Sequence, residues 1–338
     1  MTVLVTGGAG YIGSHMVHAL AEAGESVVVI DNLSTGFSNF LPEGVPLFIG
    51  DAGDENLVEG VIAQHGVESI IHFAGSVVVP DSMRDPLGYY RNNTMTTQSL
   101  LKAAVKGGVK RFIFSSTAAV YGNPDQMPVP EHAPTRPMSP YGSSKLMTEI
   151  MLHDVAAAHD MSYVVLRYFN VAGADPQGRT GLATTGATHL LKIAVEAATG
   201  QRAKIDVFGT DYPTPDGSAI RDFIHVSDLA QAHRAALSYL RDGGSSVTLG
   251  LRQNRLALRT QRLRRPSSHA HPYETPFHPI PAVDCHCRPR SRPGLVAPLR
   301  SGGGGRGLQV CVRRRIFRER LRPGVPGHAI QPGARVRL

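Results

Sequence analysis

The chain has 338 residues, 42% of them apolar and 18% charged, enough for two domains or for one large domain with an added lobe. No run of about 18 apolar residues occurs, and the first residues enter an apolar segment at once, so neither a membrane span nor a cleavable signal is expected. The formal charge of +8 is not evidence of a nucleic-acid binder: residues 1–250 hold 16 Lys+Arg against 24 Asp+Glu, and the remainder holds 19 Arg, no Lys and 3 acids.

Short, nearly continuous apolar runs recur through the first 170 residues, at Val3–Val5, Val27–Ile30, Leu47–Ile49, Ser69–Phe73, Arg111–Ser115 and Tyr163–Tyr168. Runs of that kind predict strands of a parallel sheet buried on both faces. Helical patterns separate them, near Ile12–Ala23, Glu55–His65, Leu87–Gly107 and Pro140–His159. The alternation predicts a doubly wound α/β (Rossmann) domain over 1–170, with ligands at the carboxyl ends of the strands. From 171 to 249 the rhythm changes to Gly-, Thr- and Pro-rich stretches around helices near Thr188–Thr199 and Asp228–Leu240, and a smaller substrate lobe is expected there.

The first strand runs directly into Thr6-Gly7-Gly8-Ala9-Gly10-Tyr11-Ile12-Gly13 and then a helix. Glycines at Gly7, Gly10 and Gly13 let backbone N–H groups and a helix N-terminus approach a pyrophosphate. The second strand ends in Asp31, a carboxylate placed for the ribose hydroxyls of an adenine nucleotide. Strand, glycine turn, helix, second strand and acid in that order predict a dinucleotide site, with NAD as the cofactor.

Ser115-Ser116-Thr117 ends the fifth strand, at the same edge. Tyr141 and Lys145 stand four residues apart and share one helix face, and the Pro-rich segment from Val120 to Pro140 is expected to fold over the site. A phenol with a pKa near 10 is a poor base at neutral pH. An adjacent ammonium and an oxidised nicotinamide both favour the phenolate, which then accepts a proton from a sugar hydroxyl. Thr117 would hydrogen-bond the same oxygen and orient it.

Several segments together resemble the UDP-glucose 4-epimerase family of the extended short-chain dehydrogenases/reductases. They are Val5 to His15, His72-Phe73-Ala74-Gly75, Ser115 to Gly122, Ser139 to Lys145, Leu166 to Asn170, and Asp211-Tyr212-Pro213-Thr214-Pro215-Asp216-Gly217 through Arg221-Asp222-Phe223-Ile224-His225-Val226. The resemblance covers residues 1 to about 249. It implies that Tyr141 is the proton acceptor, Lys145 its electrostatic partner and Thr117 the orienting hydroxyl. It implies NAD contacts at Tyr11, Ile12, Asp31, Asn32, Asp51, Ala52, Phe73, Ala74, Gly75, Asn92 and Phe169, besides Tyr141 and Lys145. Asn170, Val207, Phe208 and Arg221 fall where such enzymes hold UDP. Arg221 suits a phosphate, since guanidinium pairs with its oxygens as a fork.

The implied reaction interconverts UDP-glucose and UDP-galactose through a 4-keto sugar with no net redox. Related 4,6-dehydratases place Asp-Glu after the strand hydroxyl, where this chain has Ala118-Ala119, while UDP-glucuronate and UDP-pentose epimerases stay open as alternatives. One family position departs: Val77 stands where some members carry lysine. The family also implies a homodimer through Leu87–Gly107 and Pro140–His159; a cytoplasmic location is expected instead from the lack of a membrane span, a signal and any cysteine in residues 1–250.

The resemblance stops at Gly250. The segment from there to Leu338 is rich in Arg and Pro, carries all three cysteines, and shows no amphipathic period. Cys285-His286-Cys287 with Cys311 is poorly spaced for zinc, and no metal is expected. Arginine and proline without lysine is what a GC-rich gene gives in a shifted frame; Gly250 to Arg255 can be back-translated so that a one-base offset reads Gly-Tyr-Gly-Lys-Thr. A shifted tail would leave the lobe uncovered, so the chain is expected to bind NAD with little or no turnover, and a basic nucleic-acid- or membrane-binding tail is the rival reading.

Overall fold

The computed structural model describes residues 1–186, 188–207 and 209–251. The Arg/Pro-rich tail from Arg252, its cysteines and Phe208 lie outside the described residues. The described residues fall in two units, 1–195 with 220–251, and 196–219.

The first unit is built on β1 (Thr2–Thr6), β2 (Ser26–Asp31), β3 (Leu47–Ile49), β4 (Val67–His72), β5 (Arg111–Ser115), β6 (Ser162–Arg167) and β9 (Val247–Gly250). They form one seven-stranded sheet in the order β3-β2-β1-β4-β5-β6-β9. Every pairing in it is parallel. The order turns back at β1 beside β4, where a doubly wound sheet opens a crevice for ligands.

Successive strand residues point to opposite faces, and both faces are apolar. Val3, Val5, Val29, Ile71, Ile113, Val164 and Leu166 pack with α1 (Tyr11–Glu22) and α8 (Val226–Arg241), through Met16, Leu20, Leu229 and Leu237. Leu4, Val28, Ile30, Ile70, Phe112 and Val165 face the other way. There they meet α2 (Glu55–His65), α5 (Thr96–Lys106) and α6 (Pro140–Ala158), through Val58, Val61, Leu100 and Leu152. The six strand runs and the doubly wound class expected from sequence are present.

Three features differ from the sequence expectation. The helix expected over Leu87–Gly107 is divided into α4 (Pro86–Tyr89), a wide π-type turn (Tyr90–Met95) and α5, and is preceded by a short α3 (Val79–Arg84). Two elements of the stretch expected as a lobe, α8 and β9, belong to the sheet layers. β9 pairs with β6, and α8 packs over the sheet beside α1. Hydropathy could not place β9, because Val247–Gly250 is too short, with only Val247 and Leu249 apolar, to show a period of its own. Finally β7 (Asn170–Ala172) and β8 (Phe223–His225) pair in parallel as a separate two-stranded sheet, across a gap in sequence that no local pattern bridges.

α7 (Leu190–Ala198) runs across the division between the units. The 196–219 unit carries the Asp211–Gly217 motif as a closed loop, with Tyr212 N donating to Gly217 O at 3.2 Å and Thr214 Oγ1 to Ser218 O at 2.7 Å.

Candidate active site

The shape of the glycine turn is a matter of sterics. Gly7 sits at φ +70°, and a Cβ there would lie 2.6 Å from Ala74 N. A Cβ on Gly13 would lie 2.1 Å from Gly7 O, so α1 can start against the turn only without one. Gly10 caps α1 with no side-chain bond, leaving the first-turn N–H groups for another acceptor. Asp31 is buried; its Oδ2 accepts from Ala9 N at 2.9 Å and its Oδ1 from Leu33 N at 2.8 Å, pinning the turn to β2. A carboxylate has about four lone-pair sites, so capacity for ribose hydroxyls is left. Further along the edge, Asn32 Oδ1 accepts from Ser34 N at 3.0 Å, Asp51 Oδ1 accepts from Gly53 N at 2.7 Å, and Ala52 is buried beside them. Tyr11 Oη donates to Gly173 O at 2.6 Å, while Ile12 packs against the α1 core.

The end of β4 meets the same turn. Phe73 N and Ala74 N both donate to Thr6 O, at 2.9 and 3.1 Å. A Cβ at Gly75, at φ +149°, would lie 2.9 Å from Asn93 Oδ1 and 3.8 Å from Lys145 Nζ. The π-type turn carries one residue more than an α-turn, and consecutive asparagines both reach the Ser76 segment. Asn92 Nδ2 donates to Ser76 Oγ at 2.8 Å. Asn93 accepts from Ser76 N at 2.7 Å and donates to Ser76 O at 3.0 Å and Ser144 Oγ at 2.9 Å.

Thr117 caps the single turn Ala118–Tyr121, accepting from Ala119 N at 3.1 Å, and its hydroxyl favours the phenolate of Tyr141. Ser139 caps α6 by accepting from Gly142 N at 3.2 Å, with Pro140 in the first position. A Cβ at Gly142 would lie 2.9 Å from Ala119 O, so the turn after Thr117 and the start of α6 are in contact. Lys145 is 4% exposed; Nζ donates to Ser115 O at 3.2 Å and lies 4.9 Å from the Phe114 ring centre.

Burial sets the protonation states. It pushes the Tyr141 phenol up to about 12, against a lowering by the Thr117 hydrogen bond. It brings the Lys145 ammonium down to about 8, against a raising by Glu149. The lowered phenol expected from sequence is therefore not produced by these protein groups: loss of hydration outweighs their help to the phenolate. His72, under Lys145, is held neutral, since burial takes it down to about 3. Thr97 Oγ1 donates to Asn93 O at 2.6 Å, so it accepts from His72 Nε2 at 2.9 Å, and Thr6 Oγ1 donates to Nδ1 at 2.6 Å.

The expected uridine-side residues are divided between the two units. Asn170 starts β7 and donates Nδ2 to Asp222 O at 3.0 Å, next to exposed Arg221, whose Nη1 donates to Ile220 O at 3.3 Å. Phe169 precedes it, 42% exposed. Val207 belongs to the 196–219 unit and is exposed. The sequence reading gave no role to Asn93, Ser76, Ser144 or His72, although His72 and Ser144 fall within the segments that carry the resemblance. It also missed Glu149 and Arg167, although Glu149 stands four residues after Lys145 on the same helix face.

Residues 3–250 match the family model described as "NAD dependent epimerase/dehydratase family". The chain is 52% identical over 295 residues to a UDP-glucose 4-epimerase of Azospirillum brasilense, covering 87% of this chain and 83% of that one. Among solved structures it resembles UDP-glucose 4-epimerase from Brucella ovis in complex with NAD, with a TM-score of 0.73, 43% identity, and 75% and 78% of the two chains covered. It also resembles the Bifidobacterium longum enzyme in complex with NAD+ and UDP, with a TM-score of 0.71 at 39% identity and the same coverage.

Proposed function

The chain belongs to the NAD dependent epimerase/dehydratase family, and from that premise we propose that it interconverts UDP-glucose and UDP-galactose with NAD held throughout. The observation that carries this reading is the buried Lys145 ammonium, one helical turn after Tyr141, donating to Ser115 O at the strand end that leads into Thr117.

The residues fit the cofactor. The cradle at Gly7 and Gly13 is space that a Cβ would fill, the uncapped first turn of α1 suits a pyrophosphate, and Asp31 suits the ribose. In this reading Gly10, Tyr11, Ile12, Asn32, Asp51, Ala52, Phe73, Ala74, Gly75, Asn92 and Phe169 complete that edge. Bound NAD supplies a reversible hydride acceptor at carbon 4 and a positive charge beside the phenol.

Tyr141 removes the proton of the sugar 4-hydroxyl and later returns one to the 4-keto oxygen. Thr117 hydrogen-bonds that oxygen and holds it in line. Lys145, mostly protonated below its pKa of about 8, stabilises the negative charge that develops on the phenol. Asn170 and Arg221 anchor the UDP portion, which leaves the keto sugar free to present its other face. Assay of UDP-galactose turnover coupled to UDP-glucose oxidation tests the proposal: turnover in the chain and none in Tyr141→Phe supports it. Turnover unchanged in Tyr141→Phe overturns it.

One observation favours a second reading. The match to the family model ends at residue 250, and an Arg/Pro-rich segment comes after it, although the Azospirillum brasilense relative matches over 295 residues, 87% of the chain. In that reading the core is a catalytically silent NAD-binding module, and bound NAD without turnover would select it. A cytoplasmic homodimer belongs to the main proposal. It is supported by exposed apolar side chains on the helices expected to pair, Met95 at 58%, Met147 at 43% and Ile150 at 53%. Met147→Glu is expected to halve the mass seen by light scattering. Among the described residues no helix is long and apolar enough to cross a membrane.

A further inference from the structure

Behind the phenol and its lysine lies a buried ion pair that the proposed chemistry does not use. Glu149 on α6 and Arg167 at the end of β6 are 7% and 8% exposed. Arg167 Nε reaches both carboxylate oxygens, at 3.1 and 3.2 Å, and Nη2 donates to Oε2. Ser116 Oγ, adjoining Thr117, donates to Oε1. The other side of the guanidinium faces the 122–139 loop: Nη1 donates to Glu131 O at 3.2 Å, and its carbon lies 4.8 Å from the Tyr121 ring centre. Glu131 in turn accepts from Gly250 N at 3.2 Å.

The position of this loop gives the pair its meaning. The loop leaves the turn that Thr117 caps and returns at Ser139, the cap of the helix that carries Tyr141 and Lys145. Its ends touch, since a Cβ at Gly122 would lie 2.1 Å from Arg136 O. Its middle is tied down at Glu131, whose carbonyl accepts from Arg167 Nη1 at 3.2 Å and from Tyr121 Oη at 3.5 Å and whose carboxylate accepts from Gly250 N, the charge-assisted bond from Arg167 being the strongest of these. A buried ion pair is weak evidence for stability, because desolvation offsets its Coulomb gain. Its multiple, shared hydrogen bonds instead fix geometry.

We infer that Glu149 and Arg167 form a positioning clamp that ties the 122–139 loop and the Ser116–Thr117 strand end to the helix bearing Tyr141 and Lys145. The inference rests on the roles proposed for those residues in the epimerase reaction. Glu149 has a second effect: its charge, one turn from Lys145, favours the ammonium. The titratable and charged groups around that ammonium are Glu149 and Tyr141 on α6, neutral His72 on β4, Tyr168 after β6 and, through Glu149, Arg167. Removing Glu149 alone leaves Arg167 uncompensated and lowers the Lys145 pKa twice over. Removing both charges lowers it less.

The test is read on the full chain without turnover, so that failure of the clamp and failure of the epimerase assignment are separate results. Arg167→Met, Glu149→Gln and the double variant Glu149→Leu/Arg167→Met are compared by amide hydrogen exchange. The Lys145 pKa is followed as the pH of half-labelling by acetic anhydride, in peptide mass spectrometry. Arg167→Met is expected to speed exchange around Glu131 about tenfold or more, with β1 and β2 peptides unchanged. Glu149→Gln is expected to move Lys145 half-labelling down by about one pH unit. The double variant, an apolar pair in place of a charged one, keeps the fold readable and combines the fast loop with an intermediate Lys145 midpoint. Loop exchange unchanged in both Arg167→Met and the double variant overturns the clamp. So does a Lys145 midpoint unmoved by Glu149→Gln, because a purely structural role would lower the melting temperature without moving that midpoint.

Discussion

The two halves of the site are held by different physics. The glycine edge, from Thr6 to Asp31, is fixed by backbone: close approaches at Gly7 and Gly13, and peptide N–H groups on the Asp31 carboxylate. The Thr117–Tyr141–Lys145 edge is held chiefly through side chains: the Lys145 ammonium on Ser115 O, Asn93 on Ser144, and Glu149 on Arg167 and Ser116. A backbone site is local and brittle at a few glycines, whereas a side-chain site is spread out and fails by degrees.

The sharpest way to break that contrast is chemical. Tyr141→Phe deletes one oxygen, and turnover is expected to fall by about 10³-fold or more while bound NAD, measured by absorbance after release, stays unchanged. Gly13→Val attacks the other edge. Its side chain must enter space within 2.1 Å of Gly7 O, so NAD content is expected to drop about 100-fold, by equilibrium dialysis, with the sheet intact by circular dichroism. If instead Gly13→Val binds NAD normally, the edge is not rigid and the comparison fails.

Thr117→Val keeps shape and removes the hydroxyl; a loss of about 10- to 100-fold in kcat, with UDP-galactose KM little changed, is expected. The smallest effect is on pH. Lys145 has a folded pKa of about 8, below its usual 10.5, and its charged form is the useful one. Activity is therefore expected to halve near pH 8 and fall further above it, and a flat profile to pH 9 would exclude that role. The same shift has the opposite sign for stability. Between about 8 and 10.5 the unfolded chain binds more protons, so Lys145 makes the fold more stable as pH rises through that window.

Much of the glycine edge was legible in the sequence, because each part is a short-range signal: an apolar run, glycines at set spacing, and an acid at the next strand end. The Tyr141–Lys145 pair was legible for the same reason, as a helical spacing. The interrupted helix at Tyr90–Met95 was not, since an extra residue in one turn leaves the overall apolar pattern intact. Val207 and Arg221 could be matched to a motif, but a motif carries no information about which surfaces meet.

By itself, then, the order of residues determined a doubly wound sheet, the glycine turn after its first strand, and the placing of Tyr141 and Lys145 one turn apart on α6, all products of local period and sterics. Only the tertiary structure decided that β9 joins β6, that Asn93 holds the Ser76 segment, and that Glu149 meets Arg167. The reason is that these depend on side chains brought together across the sheet, where burial makes each polar group find a partner. It is also burial that raises the phenol to about 12 and lowers the ammonium to about 8, against the simple expectation from their spacing.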